Sequence, residues 1–359
     1  MKAWRLEKLG GRLAFEDVPT PQMRKGAVLV RIEASALMSY LKAYVEGKLP
    51  FYNPPGRPFT IGTNAVGVIA AVGEGVFALK PGQRVIVSSH VVARENVADP
   101  PQVLIGLTAS PEAAPMLSEW GDGMLAEYAL VPVEAVTPLE GLDGRDPTEL
   151  VAMSRFIVPF GGLLRGRLGA GETLVVNGAT GAYGTAATLL GVAMGAARVV
   201  AIGRDATALA RLADIAGPRV STVTLAGDAP GDVAAIRIKV EGGAHIAFDM
   251  VGGATDPRST LAALRSLRRG GRLVLMGSMT VDLPLPYTAI MLNDWEILGQ
   301  FMYPASAYGR LAELVRAGLL DLGRLKPRAF PLSALPEAMK AAAQASSLEY
   351  VVARIAPGG

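Results

Sequence analysis

The chain has 359 residues, of which 50% are hydrophobic and 19% charged, so it is long enough for two domains with their own cores and has a globular composition. It has no cysteine, which excludes disulfides, Cys₄ zinc modules, iron–sulfur clusters and a cysteine nucleophile, and its two histidines, His90 and His245, leave little for a His-rich metal site. Lys and Arg number 35 against 32 Asp and Glu, a net charge of +3 with no dense basic block, which gives no footing for nucleic acid.

The N-terminus, MKAWRLEKLGGRLAFEDV, carries charges too often for a secretory signal and acids that argue against a transit peptide, so a cytoplasmic location is expected. The first third reads as short β-type runs at Ala27–Glu33, Ala65–Val72, Gln83–Ser88 and Leu125–Pro132, punctuated by Gly73, Gly75 and Pro81-Gly82. From about Pro147 strands and helices alternate. Strands are predicted at Thr173–Asn177, Arg198–Gly203, Val220–Leu225, His245–Val251, Arg272–Gly277 and Glu296–Tyr303. Helices are predicted at Gly181–Gly195, at Ala206–Ala216 between an Asp205 N-cap and Gly217, at Asp232–Val240 and at Arg258–Arg269. This is the pattern of an α/β doubly wound parallel sheet. The tail reads as helices at Tyr308–Ala317 and Leu335–Ser346 and a strand, Tyr350–Ile355, that returns to the first domain. The expected division is 1–146 with 304–359 as one domain and 147–303 as the other. The uncharged stretch Thr173–Ala197 is as long as a membrane span, but its five glycines and an Asn suit a strand, a turn and a buried helix, so no membrane is expected.

The strongest chemical signal is VVNGATGAYG. Gly178, Gly181 and Gly184 follow a strand and open a helix, which is where backbone N–H groups receive a pyrophosphate. The dinucleotide fingerprint is met as Ala179-x-Gly181-x-x-Gly184, with its first glycine displaced by one position. Ala179, Thr180, Gly181, Ala182, Tyr183 and Gly184 are the expected cofactor-binding residues of this turn. At the end of the second strand, AIGRD, Gly203 stands where an NAD-binding acid would be and Arg204 follows, so NADP(H) is expected before NAD(H).

The chain resembles the medium-chain dehydrogenases/reductases of the zinc-free, quinone-oxidoreductase-like kind. The blocks that carry the resemblance are PTPQMRKGAVLVRIEASAL, IGTNAVGVIAAVGEGVFALKPGQRV, GDGMLAEYALVP, GETLVVNGATGAYG, FDMVGG and LRRGGRLVLMGS. The resemblance implies a GroES-like β catalytic domain, a Rossmann domain, a cleft between them, and dimers or tetramers; a homodimer is expected. It also implies nicotinamide contacts from Gly277, Ser278, Phe301 and Tyr303. Zinc-dependent members carry metal ligands where this chain has Met38 and Thr63-Asn64, a common acid where it has Leu41, and four cysteines where its Ser88–Trp120 insertion has none. No metal site and no zinc are therefore expected.

Without a Lewis acid, an acceptor oxygen that gains charge needs donors aimed at it. The segments at the lost ligand positions offer Ser39, Tyr40, Thr63 and Asn64 as catalytic candidates, with Tyr44, Tyr52 and Lys42 as alternatives. His90 and His245 read as structural, and Asp249 as structural or near the adenine side of the cleft. The expected activity is NADP(H)-dependent hydride transfer to a small-molecule carbonyl, quinone or conjugated enone (or enoyl thioester). The other reading is a catalytically inactive dinucleotide sensor or structural protein.

Overall fold

A computed structural model describes residues 1–356; the end of the expected 304–359 range, 357–359, lies outside the described residues. Packing divides the chain into two units. One holds Met1–Ser154, Tyr308–Ala312 and the chain from Leu325 on; the other holds Arg155–Ala307 and Glu313–Arg324.

The first unit is built on the long strand Ala27–Leu37, whose alternating and β-branched residues bury Val28, Val30, Ile32 and Ala34. Across its main sheet the strands run Val136–Pro138, Arg84–Val87, Ala65–Val72, Ala27–Leu37, Glu349–Arg354, Lys326–Pro331, with Tyr128–Pro132 also on Ala27–Leu37. The last strand pairs antiparallel with the first part of the chain, Val351 opposite Leu37. Ala65–Val72 runs antiparallel to Ala27–Leu37 with Ser35 opposite Ala65, and Ala36 N–H donates to the Asn64 carbonyl at 3.0 Å. Met38–Tyr40 and Thr63-Asn64 therefore leave the sheet at the same end. A short helix, Leu41–Val45, follows at once. The Ser88–Trp120 insertion forms a small sheet of His90–Val92, Gln102–Leu104 and Thr108–Ala109, and the Arg24 guanidinium stacks 3.7 Å from the Trp120 ring centre.

The second unit is the doubly wound parallel sheet. Its order is Val220–Thr224, Arg198–Gly203, Thr173–Asn177, Ala244–Asp249, Leu267–Leu275, Glu296–Gly299, all parallel. Helices cover these strands, which is why TLVV and VVAI read as unbroken apolar runs. Val175, Val200, Ala247 and Leu273 of the strands pack with Ile236, Val240, Ala263 and Leu264 of the helices. Asp205 caps Ala206–Ala216, accepting from Ala208 N–H at 3.0 Å, and Gly217 ends it at φ +92°.

Several elements depart from expectation, among them the unexpected helix Tyr287–Leu292 and strand Lys326–Pro331. The fourth helix stops at Arg265, because Leu267–Leu275 enters the sheet through a bulge between the pairs Ala244–Leu267 and Ile246–Arg272. The sixth strand stops at Gly299, and Met302, at φ +52°, turns the chain out before Tyr303. A helix over Met153–Arg165 was not expected, since Pro159 and Gly161-Gly162 look like breakers. Gly162 is there for packing: a Cβ would lie 2.1 Å from Met276 Sδ and 2.5 Å from the Phe248 ring. Among the described residues no helix is long and apolar enough to cross a membrane.

Candidate functional site

At the C-terminal ends of the parallel strands lies a cavity of about 400 Å³. Asn177, Gly178, Thr180 and Gly181 form one wall, Gly203 and Arg204 the next, and the loop Met250–Ser259 the far side. The glycine turn is pinned from within. Ala179 N–H donates to Ile202 O at 3.1 Å, and the buried Thr185 hydroxyl donates to Ala179 O at 3.0 Å.

The three glycines have different reasons. Gly178 needs its φ of +78°, and a Cβ on Gly184 would come 2.1 Å from Gly178 O, so the helix could not approach its strand. Gly181 has φ −81°, which any residue adopts, and a Cβ there would meet only Gly178 O at 3.3 Å. The fold barely requires that glycine. Its missing side chain clears the cavity at the start of Ala182–Ala193, where the first helical N–H groups lack intrahelical acceptors. An anionic cofactor fits that cradle.

Gly203 is buried, while Arg204 is exposed beside it on the cavity wall and has no carboxylate within salt-bridge distance among the described residues. Asp205 is spent as the helix cap. The buried Asp232 is likewise spent, accepting from Ala226 and Gly227 N–H at 2.8 and 3.1 Å. Arg258 is held by Asp256 and donates to Gly227 O at 2.7 Å, tying two cavity loops together. Asp249 is structural: burial pushes its carboxyl above the ordinary range, against the hydrogen bonds from Thr260, Val251 N–H and Asn177.

Of the twelve residues expected at the cofactor, four line the cavity: Thr180, Gly181, Gly203 and Arg204. Ala179 is buried beneath the turn, and Ala182, Tyr183 and Gly184 belong to its helix. Gly277 and Ser278 brace the cavity from behind. Ser278 N–H donates to Val251 O at 3.0 Å and its hydroxyl accepts from Gly253 N–H at 2.9 Å, while a Cβ on Gly277 would press within 2.5 Å of Val251 O. Phe301 is exposed and off the cavity wall, and Tyr303 is buried against Gly161. The Met250–Ser259 loop was missed as a wall, although FDMVGG marks the end of the fourth strand.

In the first unit, Tyr40 is the half-buried residue before Leu41–Val45, and its ring lies 6.1 Å from that of Tyr52. Tyr44 meets Tyr52 edge-on at 5.4 Å, but its hydroxyl is buried and donates to Leu107 O at 2.5 Å. Burial pushes the Tyr44 phenol far up, so it holds its proton as a packing residue. Ser39 and Lys42 are exposed. Thr63 and Asn64 are buried, and the Asn64 Oδ1 accepts from Ser89 N–H at 2.8 Å and from Ser89 Oγ at 3.1 Å.

His90 Nε2 lies 2.9 Å from Gln102 Oε1 in the small sheet, and His245 Nδ1 accepts from Thr173 N–H at the N-terminal ends of the parallel strands, opposite the cavity. Burial, then Arg268, holds the His245 imidazole below its ordinary pKa. Among the described residues no three His, Cys, Asp or Glu side chains converge as metal ligands.

Residues 24–141 match the family model of the alcohol dehydrogenase GroES-like domain, and 182–317 that of the zinc-binding dehydrogenases. The chain is 31% identical to the acryloyl-coenzyme A reductase of Metallosphaera sedula, over 87% of this chain and 86% of that one. It is 26% identical to the sorbitol dehydrogenase of Bacillus subtilis, over 92% and 91% of the two chains. In structure it is similar to the alcohol dehydrogenase TADH from Thermus sp. ATN1, with a TM-score of 0.79 and 22% identity over 99% of this chain and all 100% of the other.

Proposed function

The chain belongs to the medium-chain dehydrogenase/reductase family, and from that premise we propose that it is a zinc-independent, NADP(H)-dependent reductase of a small carbonyl compound, or of a C=C bond conjugated to one. The observation that carries the reading is the pair at the end of the second parallel strand. Gly203 leaves no carboxylate to repel a 2′-phosphate, and Arg204 stands on the cavity wall to pair with it.

When bound, NADPH supplies a hydride to the acceptor carbon. The chain must then hold the cofactor, orient the acceptor and meet the charge that develops on its oxygen. The glycine turn serves the first task with the first backbone N–H groups of Ala182–Ala193. Tyr40 serves the last as a phenol that donates to the oxygen and relays a proton, and Asn64 as an amide that orients it. Thr63 and Ser39 border them. Zinc independence is supported by the resemblance, which puts Met38, Thr63 and Asn64 where zinc-dependent members carry their ligands, and by the chain's lack of cysteine. The Metallosphaera relative, named for a reductase of an acryloyl thioester, supports the conjugated C=C branch.

A homodimer and a cytoplasmic location belong to the same proposal. Tyr287, Met291 and Leu292, all more than half exposed beside the open edge strand Glu296–Gly299, support the dimer. The function is tested by following NADPH absorbance against quinones, enones, aldehydes and ketones. Turnover of a conjugated or simple carbonyl is the expected result, and NADPH binding without any turnover would favour a sensor.

A further inference from the structure

Asn64 is only 8% exposed, yet its amide is used on one side alone. A backbone N–H can only donate, so the bond from Ser89 N–H at 2.8 Å fixes which end of the amide is oxygen. The Ser89 hydroxyl adds a second bond to that oxygen at 3.1 Å. The other end, Nδ2, has no hydrogen-bond partner among the described residues, and it is not one of their sealed-in orphan polar atoms. A nine-tenths buried amide held by its oxygen, with its NH₂ reachable and unspent, is a donor set for a ligand.

The hold is rigid. Asn64 is fixed at the start of Ala65–Val72 by the bond from Ala36 N–H to its carbonyl, and Ala65 lies opposite Val87. Ser89 lies two residues past the end of that partner strand, Arg84–Val87, and its own carbonyl accepts from Ile105 N–H at 2.8 Å. Both ends of the Ser89–Asn64 contact are therefore anchored in backbone hydrogen bonds of separate chain segments. A short side chain on such a frame holds a ligand group more tightly than one on a free loop.

We propose that Ser89 is a positioning residue, which turns the Asn64 amide so that Nδ2 donates to the acceptor oxygen of the substrate. This rests on the reading of Asn64 as an oxygen donor. Ser89 itself touches no reacting atom. Its hydroxyl and N–H reserve the amide oxygen and so forbid the flipped orientation, in which Oδ1 would face, and repel, a developing oxyanion.

The test is a double-mutant cycle read in single-turnover NADPH oxidation with 2-cyclohexen-1-one and crotonaldehyde. Ser89→Ala keeps one of the two bonds to Oδ1 and is expected to slow hydride transfer about three- to tenfold, the effect of one ordinary hydrogen bond. KM for NADPH is expected to stay unchanged, and Ser89→Thr, which retains the hydroxyl, to restore the rate. In an Asn64→Ala background the Ser89→Ala change is expected to have no further effect, because the group it orients is gone. A purely structural Ser89 would instead lower the rate equally in both backgrounds, and that result overturns the proposal. If Asn64→Ala itself transfers hydride at the wild-type rate, the underlying reading of Asn64 fails. If Asn64→Ala is slow and Ser89→Ala is not, that reading stands and only the positioning role falls. A second measurement needs no turnover. In the NADP⁺-bound protein, the ¹⁵N side-chain amide resonance of Asn64 is expected to shift on titration with 2-cyclohexen-1-one and on Ser89→Ala; an unmoved resonance in both overturns the proposal.

Discussion

The backbone of Gly203 lies against Thr180: a Cβ at 203 would come 3.1 Å from Thr180 Cγ2 and 3.3 Å from its Oγ1. The end of the second strand and the tip of the glycine turn thus meet where an NAD-binding acid would reach for the ribose. Gly203→Asp must push the Thr180 side chain by a few tenths of an ångström and places a negative charge beside Arg204. It is expected to weaken NADPH binding while NADH binding holds or improves. Arg204→Ala is expected to weaken NADPH alone. A charge-assisted hydrogen bond contributes about 1.5–3 kcal/mol, so the loss in affinity is roughly tenfold or more. Fluorescence titration of both cofactors against the three proteins checks it.

The glycine turn separates folding from binding. Gly184→Ala sets a Cβ 2.1 Å from Gly178 O and is expected to destabilise the protein by about 1–3 kcal/mol through overpacking. Gly181→Ala meets only a 3.3 Å contact, so its thermal midpoint is expected to stay within a few degrees of wild type, a change of about 1 kcal/mol or less. The same variant is expected to lose NADPH affinity, because its methyl group enters the cavity. Melting curves and cofactor titrations of the two variants should therefore rank in opposite order.

Tyr40→Phe is expected to lower single-turnover hydride transfer by roughly 10²–10³, the worth of a donor aimed at developing charge, with NADPH affinity nearly intact. Asn64→Ala is expected to act in the same direction more mildly. Tyr44→Phe is the control: its hydroxyl is committed to Leu107 O, so it should cost stability and leave the rate of the folded protein unchanged.

Much of the fold was legible because the physics is local. The central parallel strands Thr173–Asn177, Arg198–Gly203 and Ala244–Asp249 are buried on both faces and read as apolar runs, and Asp205 and Gly217 bracket a helix in the sequence as they do in space. The helix Met153–Arg165 was hidden because its Gly161-Gly162 serves packing against Tyr303, Met276 and Phe248, residues remote in the sequence. Phe301 and Tyr303 were placed by analogy at a strand end that the turn at Met302 removes. The cavity's far wall, Met250–Ser259, is built largely from backbone and small side chains, which carry no chemical signature. The Ser89–Asn64 contact joins residues 25 positions apart, and only the register of two strands brings them together.

Asp122 gives a pH dependence with a defined sign. Burial raises its pKa, but Arg57, the Thr60 N–H and Arg5 together outweigh burial and hold the carboxyl below its ordinary value. A lowered folded-state pKa means stability that is present above the unfolded value and lost as pH falls through the folded one. The side chain is 40% exposed, and screening limits its contribution to about 1 kcal/mol. Asp122→Asn is expected to be less stable than wild type in urea at pH 7, and the gap to narrow as the pH falls below the ordinary carboxylate range. A gap that stays constant with pH would remove the charge argument.

The most direct test of the central claim is single-turnover oxidation of NADPH and of NADH by 2-cyclohexen-1-one and crotonaldehyde, using protein dialysed against EDTA and checked for zinc by atomic emission. The account predicts that the metal-free protein transfers hydride from NADPH at the rate of the untreated protein, and that NADH at the same concentration is slower by tenfold or more, the consequence of one charge-assisted contact at Arg204. Activity that disappears with the metal and returns with zinc, or equal rates from the two cofactors, would contradict it.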